Sequence, residues 1–117
     1  MGTAIFGTEG DEHFEILAVL SFDGKTVAVG GGSHNGKRGV VRIYGYNGVR
    51  WSQRGADLIG DKTSDILGWA LGISYDGETV AMGAPGSEKN YTRVYKWYIP
   101  TLSWRRQGGD ARISDRL

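Results

Sequence analysis

The chain has no cysteine, and only two prolines and two histidines occur among its 117 residues. The lack of cysteine excludes disulfides and thiolate metal sites, and it leaves the redox environment of the protein open. No apolar run approaches the roughly 18 residues of a membrane-spanning helix, so membrane insertion is not expected. Neither sign of charge is in excess, with 14 Lys and Arg against 13 Asp and Glu. Because a general nucleic-acid binder needs a strongly basic surface, nucleic acid is not an expected partner.

Glycine, by contrast, is abundant, with 20 of the 117 residues, against an average of about 7%. Together with many Trp and Tyr, this composition is typical of short strands joined by tight turns. The length suits one compact domain. The N-terminus has no basic segment followed by a long apolar core, so no signal peptide is expected there.

The sequence repeats itself with an offset of 53 residues. SFDGKTVAVG at residues 21–30 recurs as SYDGETVAMG at residues 74–83, with seven of ten positions identical. The same offset relates Trp51 to Trp104 and Asp57 to Asp110. In the middle of the repeat the offset is 51, because RIY at residues 42–44 matches RVY at 93–95. The register divides the chain into a first repeat at residues 2–54, a second at 55–107 and a partial third repeat or tail at 108–117.

Each full repeat has the pattern of four strands. The first strand ends in a Ser-x-Asp-Gly turn, where Asp can accept backbone hydrogen bonds and Gly can take a positive φ. The second strand, TVAVG or TVAMG, is small and apolar on both faces, as an inner strand should be. The third strand, VVRIYGY at residues 40–46 or TRVYKWY at residues 92–98, alternates with period two. The fourth surrounds Trp51 or Trp104 at a polar outer edge. Four antiparallel strands at a period near 50 are typical of a β-propeller blade, so we predict an all-β fold of two blades and the start of a third.

A resemblance to a known family rests on the second repeat. GWALGISYDGETVAMGAP at residues 68–85 resembles the FG-GAP-like repeats of integrin-type propellers, with Leu67-Gly68 in place of Phe-Gly and Gly83-Ala84-Pro85 supplying the GAP. The first repeat departs from the motif, with Phe14-Glu15 and Gly30-Gly31-Gly32 at these places. SFDGKTVAVGG followed by GVVRIY is also similar to the WD-repeat pattern, but the Trp-Asp ending is missing and the period exceeds that family's roughly 40–45 residues.

The resemblance implies a propeller at the cell surface or outside the cell that binds a protein partner. The calcium loop of the family needs several carboxylates at alternate positions, and only Asp23-Gly24 and Asp76-Gly77 remain here. No metal and no cofactor is therefore expected.

Two blades cannot close a ring, because propellers have about 4 to 8 blades and an open pair leaves two blade faces bare. Further blades can come from copies of the chain in a cyclic homo-oligomer, or from the same chain if these residues are part of a longer propeller. Residues 108–117 occupy the register of residues 2–11, and in a closed homo-oligomer the two segments would compete for one place. This competition favours the longer propeller.

The chain offers no candidate for catalysis, so we predict that it is not an enzyme. His13 and His34 lie in different segments and are not repeated, so they assemble neither a metal cluster nor a base and nucleophile. GGSHNGK at residues 31–37 fits the spacing of a phosphate loop, but Arg38 stands where Ser or Thr should follow and a β-patterned segment comes next. An acidic group lacks fixed ligand spacing and is expected to be a solvated loop; it comprises Glu9, Asp11, Glu12 and Glu15.

Candidate binding residues fall into two sets. The first comes from the loops that differ most between the repeats, where recognition is usually placed on a repeated scaffold: Lys37, Arg38, Lys89 and Tyr91. Asn90 there begins an N-glycosylation sequon. The second set combines a repeated Arg-x-Tyr-x-aromatic face with the two outer tryptophans: Arg42, Tyr44, Tyr46, Trp51, Arg93, Tyr95, Trp97 and Trp104. Of these, we expect Trp51 and Trp104 to be exposed, because they lie on edge strands.

Adjacent blades bury large faces against each other, and residues repeated in both copies are those that every blade needs for this stacking. The second set can therefore serve packing between blades instead of binding, and we favour this packing alternative for the Arg-x-Tyr face. Because the chain has repeated surfaces and no catalytic site, we predict a non-catalytic interaction or adhesion scaffold for a protein partner. The alternative function is a carbohydrate-binding lectin formed by oligomerised two-blade chains, with Trp and Tyr pockets between blades that bind a glycan.

Overall fold

The computed structural model describes residues 16–31, 34–86 and 90–112. These residues form two five-stranded antiparallel sheets, which confirms the predicted all-β fold class. The strands are β1 (Ile16–Leu20), β2 (Thr26–Gly31), β3 (Val40–Tyr46), β4 (Trp51–Gln53), β5 (Leu58–Ile59), β6 (Ala70–Ile73), β7 (Thr79–Ala84), β8 (Tyr91–Tyr98), β9 (Ser103–Arg106) and β10 (Ala111–Arg112). One helical turn, α1 (His34–Lys37), lies between β2 and β3, and a 3-10 turn (Ile99–Thr101) precedes β9.

The two sheets share one topology. The first has the order β1-β2-β3-β4, and β5 pairs with β3 next to β4 along the same strand. The second has β6-β7-β8-β9, and β10 pairs with β8 next to β9. The outer edge of each sheet is therefore built from two short strands. The small apolar strands β2 and β7 lie inside their sheets, as their sequences predict.

The sheets are shifted relative to the sequence repeats. Strand β5 belongs by register to the second repeat but pairs in the first sheet, and β10 belongs to the third segment but pairs in the second sheet. The first residues of each repeat thus complete the sheet formed by the repeat before it.

The repeated Ser-x-Asp-Gly turns are built from the same hydrogen bonds. In the first, Ser21 Oγ donates a 2.6 Å bond to Asp23 Oδ1, which also accepts the backbone N–H of Lys25 at 3.0 Å. In the second, Ser74 and Asp76 make the corresponding bonds at 2.9 and 3.0 Å. The glycine of each turn has a φ of 74°, a conformation that a side chain would strain. The motif therefore fixes both hairpins in one geometry.

We name the two faces of each sheet after the type of a repeated residue that lies on each. The arginine face carries Arg42 in the first sheet and Arg93 in the second, and the alanine face carries Ala28 and Ala81. Directly paired residues share a face, so Ala28 and Ile43 lie together on the alanine face of the first sheet. Likewise, Met82 and Arg93 lie together on the arginine face of the second.

The core lies between the alanine face of the first sheet and the arginine face of the second. Its members are Ala28, Val41 and Ile43 from the first sheet, Leu67 from the connection, and Val80, Met82, Ala84, Tyr91, Tyr95 and Trp104 from the second. The sheets therefore stack in the same sense, head to tail. The arginine face of the first sheet, on which Val29, Val40 and Arg42 are buried, and the alanine face of the second sheet point away from this core.

Candidate functional site

The two repeated arginines are buried and bound to carboxylates within the chain. Arg42 Nε lies 3.0 Å from Asp57 Oδ1. Arg93 is only 2% exposed; its Nε donates to Asp110 Oδ1 at 2.8 Å, and its Nη1 and Nη2 donate to the carboxylate of Asp61. Burial lowers the pKa of Arg93, but the hydrogen bonds to Asp61 and Asp110 outweigh it, so the net shift is upward. These contacts support the packing alternative for both arginines.

The aromatic residues of the same face divide into buried and half-buried members. Tyr95 is 9% exposed and belongs to the core between the sheets. Tyr44 is half-buried and lies on the outward arginine face of the first sheet. Burial is also the main cause of a raised pKa of Tyr44. The repeated tyrosines thus have equivalent places in their sheets but different surroundings.

The expectation of exposed outer tryptophans is wrong for Trp104, which is 8% exposed. Its strand lies at the sheet edge, but its side chain points toward the first sheet and packs against Trp97, with ring centroids 5.0 Å apart. Its Nε1 donates a 2.8 Å hydrogen bond to the carbonyl of Arg54. Trp51 is half-buried, with its ring centroid 5.1 Å from that of Tyr46.

A groove of about 410 Å³ lies between the sheets beside the β3–β4 turn. Two predicted binding residues, Tyr46 and Trp97, line it together. The guanidinium carbon of Arg54 lies 5.0 Å from the centroid of the Trp97 ring, and its Nη1 is 2.9 Å from Glu78 Oε2. The remaining lining residues, three of which have polar side chains, are Gly45, Asn47, Ser52, Gln53, Gly55 and Leu102. The ring of Trp97 beside amide, hydroxyl and guanidinium groups suits a ligand that is both apolar and hydroxyl-rich.

The other set of candidates lies at the opposite end of the sheets, on the β2–β3 loop. Lys37 and Arg38 are exposed. Their carbonyl oxygens accept the N–H groups of Ile66 and Leu67 at 2.8 and 2.9 Å. The backbone of this loop is therefore held to the connection between the sheets, while its basic side chains face solvent.

The placement of Tyr91 in an exposed loop is wrong. Tyr91 begins β8 and is 6% exposed, and its hydroxyl donates a 2.7 Å hydrogen bond to Oδ2 of the buried Asp65. Burial, with this hydrogen bond, raises the pKa of Tyr91 to about 12. Lys89 lies outside the described residues, and Asn90, the possible glycosylation site, is exposed.

The described residues provide neither a group of metal ligands nor a complete phosphate loop. His13 and the acidic group of Glu9, Asp11, Glu12 and Glu15 lie outside them. Within them, no three His, Cys, Asp or Glu side chains are grouped so as to hold a metal ion. The segment with phosphate-loop spacing, residues 31–37, ends in the single helical turn α1, which contains His34. The next element is the strand β3, whereas a phosphate loop is followed by a helix. Among the described residues, no helix is long and apolar enough to cross a membrane.

Sequence reasoning missed the carboxylates that hold the arginine face. Asp57 and Asp110 repeat at the offset of 53, and Arg42 and Arg93 repeat at 51. The signal for their pairing was therefore present as two sets of repeated, opposite charges. Asp61 has no such signal, because the offset places Thr8 at the equivalent position.

Comparison with family models, with curated proteins and with solved structures found no match to this chain.

Proposed function

We propose that the chain is a non-catalytic interaction scaffold of β-propeller-type blades that binds a protein partner through the loops at the β2–β3 end of the sheets. The head-to-tail stacking of two sheets of one topology carries this proposal. Such a stack holds non-identical loops at fixed positions on a rigid, repeated support, which is how repeat proteins present binding surfaces.

The chemistry of the loop end favours an acidic partner surface. The side chains of Lys37, Arg38 and Lys62 are exposed. Their two segments lie next to each other, because the Ser64 N–H donates a 3.2 Å hydrogen bond to the carbonyl of Gly36. Asp61 on the same connection is bound to Arg93. Cations at this position attract and orient an acidic surface, mainly by raising the association rate.

The test compares partner capture by three immobilised proteins: the wild-type chain, Lys37→Ala/Arg38→Ala, and Lys25→Ala/Arg50→Ala. The last is the matched control, because it removes the same charge from exposed residues at the opposite end of the sheets. We expect a protein retained by the wild type and the control to be lost from the loop variant, while all three unfold at the same urea concentration. Equal retention by all three, or no retained protein, would overturn the proposal.

The groove beside Tyr46 and Trp97 supports a second candidate function, carbohydrate binding. Glycan-array binding by the wild type that disappears in Tyr46→Ala would favour it. The control Tyr98→Ala also removes an aromatic ring, but Tyr98 is not among the groove residues. Binding that both variants retain would place the glycan elsewhere, and no binding at all would remove this candidate.

A further inference from the structure

Four contacts at the alanine face of the first sheet join it to the second sheet. A Cβ on Gly30 would overlap the backbone of Gly68, so these two segments touch through their main chains. A Cβ on Gly77 would likewise overlap the side chain of Thr26. At the turns, the rings of Phe22 and Tyr75 stack at 4.7 Å, and Asp23 N–H donates to the carbonyl of Tyr75 at 3.2 Å. The first sheet thus has a set of receiving positions that the second sheet fills.

The second sheet repeats every receiving position. At the offset of 53, Gly83, Thr79, Tyr75 and Asp76 correspond to Gly30, Thr26, Phe22 and Asp23. Among the described residues, a Cβ on Gly83 would meet only Ala70 of its own sheet, at ordinary van der Waals distances of 3.5 Å and beyond. An open, mainly apolar groove of about 430 Å³ lies here, lined by Trp69, Ala70, Gly83, Ala84, Pro85, Asn90, Tyr91, Thr92 and Ala111. The receiving positions of the second sheet are therefore formed, and none of the described residues would come as close to a Cβ on Gly83 as Gly68 comes to one on Gly30.

The outer face of the first sheet repeats most of the inserting positions. Gly24 corresponds to Gly77 and has the same φ of 74°, and a Cβ added to it would meet no atom of the other described residues within 4 Å. Leu20 corresponds to Ile73, which packs against the core, yet Leu20 is 56% exposed. Val27 corresponds to the buried Val80. Gly68 is the exception, because the register places Glu15 there, outside the described residues.

We infer that the alanine face of the second sheet binds the arginine face of the first sheet of a second copy of this chain, head to tail. Apart from the contact of Gly68, whose counterpart is Glu15, the contacts repeat those that already join the two sheets within one chain. Strands β5 and β10 close the outer edge of each sheet from the same chain, so docking requires no strand exchange. In this arrangement β10 keeps the edge position for which residues 2–11 of the docked copy would compete by register. Such a heterologous interface closes a ring where the rotation allows it, and about 4 to 8 sheets form a propeller.

This self-association shares the stacked scaffold with the proposed function, but it uses the sheet faces rather than the β2–β3 loops. The two can therefore fail separately. Lys37→Ala/Arg38→Ala should associate as the wild type does, whatever its effect on partner capture.

The test is analytical ultracentrifugation of two blocking variants, alone and mixed. Gly83→Glu places a charged side chain in the receiving groove, and Leu20→Glu places one on the exposed inserting face. The control Val49→Glu adds the same charge at an exposed position in the β3–β4 turn. If Gly83→Glu fails to fold, Gly72→Glu replaces it, because Gly72 lies on the same face with nothing within 4 Å.

We expect the wild type and Val49→Glu to associate at micromolar concentration and each blocking variant to be monomeric. The mixture of the two blocking variants should form a 1:1 complex, because one intact arginine face and one intact alanine face remain. A monomeric wild type would overturn the inference. A blocking variant that still dimerises alone, or a mixture that stays monomeric, would overturn it as well, because either result excludes head-to-tail docking.

Discussion

Arg93 Nε donates a 2.8 Å hydrogen bond to Oδ1 of Asp110, a residue that by sequence register belongs to the third segment, 108–117. Arg42 and Asp57 make the equivalent contact at 3.0 Å. In both sheets the aspartate directly precedes the short second edge strand, β10 or β5. The pair therefore holds the first residues of the following repeat on the sheet, and it accounts for the shift between sheets and repeats.

Asp110→Ala should lower the free energy of unfolding by about 3 kcal/mol, because removing one partner of a buried pair leaves an uncompensated charge. The low end of the usual range applies, since Arg93 keeps its contact with Asp61. Asp57→Ala should cost less, about 1 kcal/mol, because the side chain of Asp57 is more exposed than that of Asp110. Urea denaturation of both variants measures the difference. Equal losses would mean that the exposure of the carboxylate does not govern the strength of this pair.

Tyr91→Phe should change how stability depends on alkaline pH. The folded-state pKa of Tyr91 is about 12, above the ordinary value of about 10. Its neutral form therefore stabilises the fold fully below about pH 10, and this contribution is lost as the pH rises from about 10 to about 12. Phe cannot ionise, so the variant should lose less stability across that interval, as measured by urea midpoints from pH 8 upward.

The same variant should be less stable than the wild type at pH 8, by about 1–2 kcal/mol, because the buried Asp65 loses its hydroxyl donor. Tyr98→Phe is the control, since Tyr98 is exposed and should affect neither quantity. Parallel pH profiles for the wild type and Tyr91→Phe would show that Tyr91 does not cause the alkaline loss.

Tyr95→Ala should destabilise the protein by about 3 kcal/mol, because it removes a large ring from the core between the sheets. Tyr44→Ala should cost less, because its half-buried ring lies on an outer face of the stack. Chemical denaturation of the two variants compares the free energy of unfolding that is lost at equivalent positions of the two repeats, which have different surroundings. If Tyr95→Ala left stability unchanged but abolished partner binding, the arginine face would be a binding site rather than a packing surface.

Local patterns in the sequence predicted much of each sheet. Strand β3 has the predicted bounds Val40–Tyr46, because its period-two alternation and flanking glycines are local signals. The Ser-x-Asp-Gly turns formed as expected, because their hydrogen bonds lie within five residues of each other. The inner positions of β2 and β7 followed from their small apolar residues on both faces.

Contacts between distant segments were not predictable in this way. Trp104 has polar neighbours in sequence, and its burial depends on the first sheet, which supplies the carbonyl of Arg54. Tyr91 follows a polar loop, yet it pairs with Ala84 and meets Asp65 from the connection between the sheets. For such residues the neighbouring sheet decides exposure, and only the three-dimensional arrangement supplies that information.

Two equivalent glycines allow the stacking contact to be measured inside one molecule. Gly24 and Gly77 have the same φ of 74°, so alanine at either position carries the same backbone strain, about 1–2 kcal/mol. A Cβ on Gly24 would meet no atom in the part of the chain that the structure describes, whereas one on Gly77 would overlap Thr26 of the first sheet. Gly77→Ala should therefore cost at least about 1 kcal/mol more than Gly24→Ala.

The comparison is made by urea denaturation in the Gly83→Glu background, so that association between chains does not contribute. Adding Thr26→Ala should recover part of the loss in Gly77→Ala and none of the loss in Gly24→Ala, because only the first variant has the overlap. In the chain without Gly83→Glu, Gly24→Ala should instead weaken self-association, since the docked Gly24 would lie against Thr79 as Gly77 lies against Thr26. Equal losses of unfolding free energy in the two alanine variants would mean that Gly77 is not in close contact with Thr26. The repeated contact would then have no role in stacking.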